Sequence, residues 1–484
     1  MKTSLLTIVL ILVSATLTLA QSIPPDSLYF GQTPPGNIPQ LFAPGIVSLP
    51  NRNEAVITFS PDGTSVFFYI EKYPGPGTPY TMYATYTNNH WSAPDTIPFS
   101  NGRSTGEPFF AYNGTRIYMY ATNAINHVGI TDLSYSEKQG VNWSDPISIG
   151  NPPNSEAYQY HPCIVGDTSI YFSSNAGQVC RSQYANGVYQ SRVILPKPVN
   201  YFGSQTWGDP YVSPAESYMI IKSIRTEGFG QNDIYISYKK TDSTWTNPKN
   251  LGNVINTPLD ETSGDITPDG LYMTYGSNKD LYWVSTGFID SLKYTNFLPY
   301  LKTPIPNQMA IKGELFTFTI PDSTFIDDDG NNTLTFSAKL TSGTPLPAWL
   351  TLDTITGVFT GTPPIIETLN IRVTATDTAG AASSTNFKVT VNNPVSIDQI
   401  NGQRKGVMVF PNPTSGLINI SLDAFHGKTA IAEIINPEGK TILTKTFIKD
   451  TMLDLATKPE GLYIVKLFID NEITIHKIFY LKSH

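Results

Sequence analysis

The segment Phe59-Ser-Pro-Asp-Gly-Thr-Ser-Val-Phe-Phe-Tyr-Ile70 joins a tight turn to a run of aromatic and β-branched residues. Proline presets φ and glycine accepts positive φ, so Pro-Asp-Gly turns the chain, and the residues after it suit a pleated strand. Working outward, the turn returns as Asn113-Gly114, Gly166-Asp167, Pro214-Ala215 and Pro268-Asp269-Gly270. The matching strand positions are Val66, Ile117, Ile170, Met219 and Met273, at spacings of 51, 53, 49 and 54. A second marker keeps the same period: Trp91-Ser-Ala-Pro94, Trp143-Ser-Asp-Pro146, Tyr189 in a degenerate copy, and Trp245-Thr-Asn-Pro248. Repeats of this length with four strands each predict a five-bladed β-propeller over residues 21–295. The fifth copy stops after Trp283 without its aromatic-proline strand. Pro39 to Ser48 has the look of that missing strand, so the N-terminal segment is expected to complete the last blade and remove the free sheet edges.

Composition agrees with an all-β chain. The 484 residues include 36 glycines, 38 prolines and 12% aromatics, and at ~150 residues per domain about three domains are expected. Only 14% of residues are charged and the net charge is −8. Such a chain lacks the basic footprint of a nucleic-acid binder. Residues 1–20 open with Lys2, continue through an apolar core from Leu5 to Val13 and end Thr18-Leu19-Ala20, the pattern of a secretory signal peptide. No later stretch is long enough to span a bilayer. Cys163 and Cys180 fall on the first and third strands of one blade, about 9.5 Å apart at ~4.8 Å per strand, which favours two free thiols over a bridge.

Phe59 to Gly63 and Asn232-Asp-Ile-Tyr-Ile-Ser237 resemble the WD-like, TolB-type propeller repeats of bacterial envelope proteins. The resemblance implies a fold more than an activity, since propellers host many functions. Counting back from each turn, Glu54, Glu107, Asp209, Glu261 and Asp265 share one face of the innermost strands, with His161 one residue out of phase. Tyr160-His161 interrupts the acidic row in the third blade and marks the expected seat of ligand preference. Carboxylates converging on a channel allow two readings. One is a solvated ligand-binding channel. The other is a glycoside hydrolase, with Glu107, Asp209 and Glu261 as acid, base or nucleophile. Tyr158, Tyr160, Tyr201, Phe202 and Trp207 are candidates either for stacking on a ligand or for inter-blade core. Metalloprotease, thiol-redox, nucleophile-elbow and phosphate-loop motifs are absent from the sequence.

Residues 301–392 alternate with a period of two, as in Phe316–Ile320, Leu334–Ala338, Ile371–Ala375 and Phe387–Val391, and predict an immunoglobulin-like sandwich resting on Trp349, Leu350 and Phe359. Thr324-Phe-Ile-Asp-Asp-Asp-Gly330, Pro347-Ala-Trp-Leu350 and Thr374-Ala-Thr-Asp-Thr-Ala-Gly380 resemble dystroglycan-type cadherin-like domains. That resemblance implies Ca²⁺, with oxygens offered by Asp327, Asp329 and Asp377 and, as a further candidate, Asp353. The alternative is that these aspartates close tight turns. After a linker at 393–406, residues 407–484 carry Val409-Phe-Pro-Asn-Pro-Thr414 and Gly461-Leu-Tyr-Ile-Val-Lys466 and form a second predicted sandwich. They resemble the type A C-terminal sorting domain of the type IX secretion system of Bacteroidota, which implies the secretion machinery as partner and a secreted or surface-attached protein. The leading expectation is therefore a modular binding protein for a glycan, peptide or protein. A secreted glycoside hydrolase and a purely structural envelope component are the alternatives.

Overall fold

A computed structural model describes residues 23–71, 78–140, 142–166, 168–201, 208–225, 227–394, 407–422, 427–469 and 472–482. The expected signal peptide, Asp167, Phe202, Trp207 and most of the expected linker lie outside the described residues. The described chain is dominated by β-strands, with one short α-helix at Phe288–Lys293. No helix among the described residues is long and apolar enough to cross a membrane.

The first 285 residues build five antiparallel sheets of four or five strands. Each starts with a hairpin. The paired strands are Glu54–Phe59 with Ser65–Ile70, Thr105–Phe110 with Arg116–Thr122, and Gln159–Ile164 with Ile170–Ser174. Tyr211–Val212 pairs with Tyr218–Ser223, and Glu261–Ile266 with Tyr272–Ser277. The second strands of the hairpins are mostly buried apolar and aromatic residues, whereas the first strands also bury polar groups such as Glu54, Gln159, His161, Glu261 and Asp265. The five first strands touch one another in cyclic order, the fifth returning to the first.

The last sheet takes its outer strand from the opposite end of the chain. Gln40 pairs with Trp283 and Leu41 with Tyr282, antiparallel. Phe42, fully buried, packs edge-on against Trp283 at 5.3 Å and Phe59 at 5.8 Å, so one side chain bridges the fifth sheet to the first. Tyr29 adds a hydrogen bond of 2.6 Å to Asp269. Cys163 and Cys180 are buried and unbridged.

Residues Gln308 to Asn392 form a sandwich. One sheet runs Gln308–Ile311, Ala382–Asn392, Thr368–Thr376, Thr335–Leu340, the first pair parallel; the other runs Phe316–Thr319, Val358–Gly361, Leu350–Leu352. Leu350 and Phe359 are buried in its core, whereas Trp349 lies at the margin and donates its indole N–H to Glu367 at 2.8 Å. The tail pairs a three-stranded sheet (Met408–Phe410, Leu417–Ser421, Thr451–Asp454) with a four-stranded one (Thr441–Phe447, Ala430–Ile435, Gly461–Ile469, Glu472–Tyr480). Tyr463 and Tyr480 are among its most buried side chains.

Truncating Phe42 removes packing on both sides of the closing strand. Phe42→Ala should lower unfolding free energy by about 3–5 kcal/mol, measured as a shift of the urea midpoint at constant m-value. A loss below about 1 kcal/mol would show that the N-terminal strand contributes little to holding the five sheets together.

Candidate functional site

The site grows from irregularities in the first strands. Pairing fixes equivalent positions: Phe59 faces Val66, Phe110 faces Ile117, Ile164 faces Ile170, Val212 faces Met219 and Ile266 faces Met273. Three residues before Phe110, Ile164 and Val212 stand Glu107, His161 and Asp209. His161 is thus in phase with the acids, contrary to the expectation from counting. The third hairpin is one residue shorter between paired positions, six against seven, and that deletion displaced the count.

The three local sequences are Gly106-Glu-Pro108, Tyr160-His-Pro162 and Gly208-Asp-Pro210. Proline has no N–H to give to a ladder, and the pairing shifts register at Gly106/Phe109 and Tyr160/Cys163. Glu107 and His161 at these bulges, and Asp209 just before its strand, adopt φ of 52°, 50° and 33°. Side chains rarely take this left-handed region, and such residues gather where a group must be aimed. A Cβ at Gly106 would lie 2.6 Å from the Tyr120 ring, and one at Gly208 2.4 Å from Val179, so both glycines permit the close approach.

The outcome is convergence. One ligand-capable atom from each of Glu107, His161 and Asp209 lies within 4.8 Å of the others. Glu107 accepts the backbone N–H of His161 at 2.8 Å. Asp209 forms a 2.5 Å ion pair with Lys222, from the neighbouring strand of its own sheet, and its backbone N–H donates to Ser173 at 2.8 Å. Deeper along the ring, Asp265 Oδ1 lies 4.0 Å from His161 Nε2. Asp209, His161 and Asp265 are almost fully buried, while Glu107 keeps partial exposure.

Burial dominates the electrostatics. It pushes the Glu107 carboxyl up to about 8, reinforced by the charge of Asp209. It does the same to Asp265, also to about 8. It holds the His161 imidazole down near 4, so the ring is neutral at pH 7. For Asp209 burial acts upward, but Lys222 and His161 outweigh it and leave the carboxyl below its ordinary range. Lys222 is held above its ordinary value because Asp209 more than offsets its own burial.

The remaining sequence candidates separate into two groups. Glu54 and Glu261 sit two positions earlier and are engaged elsewhere: Glu54 with Arg52 at 2.5 Å, Glu261 with Thr257 at 2.6 Å and Ser277 at 2.9 Å. Glu54 lines a cleft of about 320 Å³ with Glu71, Gln231, Asp260, Thr262 and Lys279, at the strand ends away from the turns. Tyr160 is half-buried, edge-on to Tyr120 at 5.5 Å and stacked with Tyr158 at 6.3 Å. Lys222 escaped sequence reasoning because it lies on a second strand, outside the row that was counted. The signal that exposes His161 is the Glu-Pro, His-Pro, Asp-Pro series in successive repeats.

In the sandwich, Asp329 and Asp377 each contact the connection from the fifth sheet, and Asp327 lies beside Asp329. Asp329 accepts the Phe297 N–H at 2.6 Å and Asp377 accepts Asn296 Nδ2 at 2.8 Å. Asp327 accepts the Asp329 N–H at 3.0 Å and leaves its Oδ2 buried without a hydrogen bond. Asp353 is not part of this group. It is exposed and accepts the N–H groups of Ile355 and Thr356 within its own turn. Asp328, missed by the sequence reading as a contact residue, pairs with Lys240 at 2.9 Å and accepts the Asn247 N–H at 2.5 Å. Lys240 follows the strand Asp233–Tyr238, whose Tyr238 end faces Tyr218. That is the turn end of the fourth sheet, opposite the cleft.

A carboxyl neutral in the fold and ionised in the unfolded chain opposes folding progressively as pH rises between the two values. For Asp265 that window runs from about 4 to about 8. Asp265→Asn should flatten the decline in stability across it by about 1–3 kcal/mol, followed by urea melts from pH 5 to pH 8. An unchanged slope would mean that Asp265 is not the proton-bearing group.

Comparison with known proteins supports the two C-terminal units directly. Residues 299–392 match the family model of an Ig domain, and residues 408–480 match the model of the secretion system C-terminal sorting domain. The sorting domain marks the chain for secretion or attachment at the outer surface. No curated relative matches the chain. Similar solved structures include a protein assigned as an α-galactosidase or melibiase from Bacteroides fragilis, at 20% identity over 19% of this chain and 17% of that one, TM-score 0.16. The extracellular domain of a protein assigned as a hybrid two-component system from B. thetaiotaomicron is 12% identical over 75% of this chain and 58% of that one, TM-score 0.31. A gluconolactonase from Xanthomonas campestris is 10% identical over 52% of this chain and 96% of that one, TM-score 0.29. The chain therefore spans less than a fifth of the first and under two thirds of the second, and none of the three speaks to activity.

Proposed function

We propose that the five sheets are the blades of a five-bladed β-propeller of the WD-like, TolB type. Its acidic cleft serves as the recognition platform of a secreted or surface-attached binding protein for a glycan, peptide or protein. The observation that carries this reading is the position of the Ig-like domain. Its Asp328 contacts reach the turn end of the fourth sheet, while the cleft with Glu71 and Asp260 opens at the other end. A spacer and sorting tail attached at one end leave the other free for a ligand. Concave sites with a few convergent polar groups are the usual seats of binding.

The glycosidase alternative draws support from one fact, a neutral Glu107 beside an ionised Asp209. Access weighs against it, because glycoside hydrolysis needs both carboxyls to reach the scissile bond. Asp209 is covered and locked to Lys222. Glu71→Gln and Asp260→Asn should each weaken the best ligand from a glycan and peptide array about tenfold, with no hydrolysis by the native protein. Turnover lost in Glu107→Gln would establish the enzyme instead.

Calcium in the sandwich is a second element of the proposal. Neighbouring aspartates and a buried Asp327 Oδ2 with no hydrogen-bond partner among the described residues support a hard cation, with Asp327, Asp329 and Asp377 as ligands and without Asp353. Ca²⁺ at a hundredfold over its Kd should stabilise the domain by about 2.7 kcal/mol, and Asp377→Asn should remove that gain. Melting of the full chain that ignores millimolar Ca²⁺ would leave these aspartates as linker clamps only.

A further inference from the structure

The carboxylates beneath the cleft outnumber their cation. Among the described residues, Glu107, Asp209 and Asp265 gather near the Lys222 ammonium, which is committed to Asp209 at 2.5 Å. Buried carboxylates are normally paired, hydrogen-bonded or bound to metal. Asp265 is only 5% exposed, and its Oδ1, which is turned toward His161 Nε2 at 4.0 Å, has no hydrogen-bond partner among the described residues. An orphaned acceptor in such a place calls for a donor or a cation. His161 supplies a neutral imidazole beside it, and imidazole with carboxylates is a donor set for divalent metals.

We infer that Glu107, His161 and Asp209, with Asp265 as fourth donor, form a binding site for one divalent first-row transition ion, Mn²⁺ or Zn²⁺, at the centre of the five-sheet ring. The spacing fits a shared ion. Two ligands of one metal at ~2.0–2.4 Å cannot lie more than about 4.8 Å apart, and the three principal donors meet that bound. The backbone is built for it as well. Glu107, His161 and Asp209 hold the left-handed conformation at equivalent positions before proline in three successive sheets. Simple channel lining would not require the same strained conformation at all three. Lys222 then positions Asp209 and offsets one carboxylate charge, leaving the other two to balance a divalent ion. Mixed nitrogen and oxygen donors favour a transition ion over Ca²⁺ or Mg²⁺, which prefer oxygen alone. The site is separate from the aspartates of the sandwich and stands whether or not a ligand for the cleft is found.

The test uses the full chain, stripped with a chelator and titrated by calorimetry with Mn²⁺ alone and Zn²⁺ alone. One site per chain is expected, weakened about a hundredfold or more in His161→Gln. Should that variant fail to fold, pulsed electron paramagnetic resonance of Mn²⁺ on the native chain provides the second reading. Coupling to one imidazole nitrogen supports the site and excludes the all-oxygen aspartate cluster. No binding at millimolar metal, unchanged affinity in His161→Gln, or bound Mn²⁺ without nitrogen coupling would each overturn the assignment.

Discussion

The pairing of Gln40–Leu41 onto Tyr282 and Trp283 is the contact that joins the N-terminal described segment to the fifth sheet. A ladder of two residues is weak by itself. Phe42 and Tyr29, wedged among Phe59, Tyr272 and Trp283, turn it into a packed joint. The loop it closes is long, but closure entropy grows only logarithmically, by about 0.6 kcal/mol per doubling of length. A small, well-packed contact can therefore hold the ends of a long chain together. It also covers what would otherwise be the open edge of the fifth sheet.

Once the sheets are gathered in this way, their first strands face each other across a narrow axis. Side chains far apart in sequence meet there, and the local dielectric falls. Two carboxyls, Glu107 and Asp265, are pushed to about 8, while Asp209 stays ionised because Lys222 lies against it. Breaking such a buried pair on one side only would leave an uncompensated charge, typically 3–5 kcal/mol of lost stability. The charged layer gives way toward the turn end to Cys163, whose thiol is raised by burial, and to the aromatic rings of Phe109, Tyr112 and Tyr211. The axis is thus polar toward the cleft end and apolar toward the turn end.

The sandwich that follows is fastened by its own aspartates. Asp328 and Asp329 clamp the fourth sheet and the connecting segment, and Lys249 crosses beneath, donating to the Leu292 and Thr295 carbonyls at 2.6 Å. An acidic loop that looks like a metal motif in sequence thereby also serves as the joint between two units. The sorting tail has a separate core of its own, from Val407 to Tyr480.

Local chemistry was readable without coordinates wherever it repeats or is spelled in consecutive residues. Pro-Asp-Gly turns, aromatic strands with their proline markers, the alternating strands of the sandwich and the Pro-Asn-Pro and Gly-Leu-Tyr phrases of the tail all act within a few residues of themselves. The acidic row was readable in part: Glu107, Asp209 and Asp265 belong to one cluster, but Glu54 and Glu261 are held by Arg52, Thr257 and Ser277. The phase of His161 was not readable, because a one-residue deletion in the third hairpin is visible only when strand pairing fixes the register. Nor was the place of Lys222, which reaches Asp209 from a second strand, or the separation of Asp353 from the other aspartates. Such contacts join residues tens to hundreds of positions apart. Their identity depends on which strands become neighbours when the chain ends meet, and that is a property of packing in three dimensions that no single stretch of sequence contains.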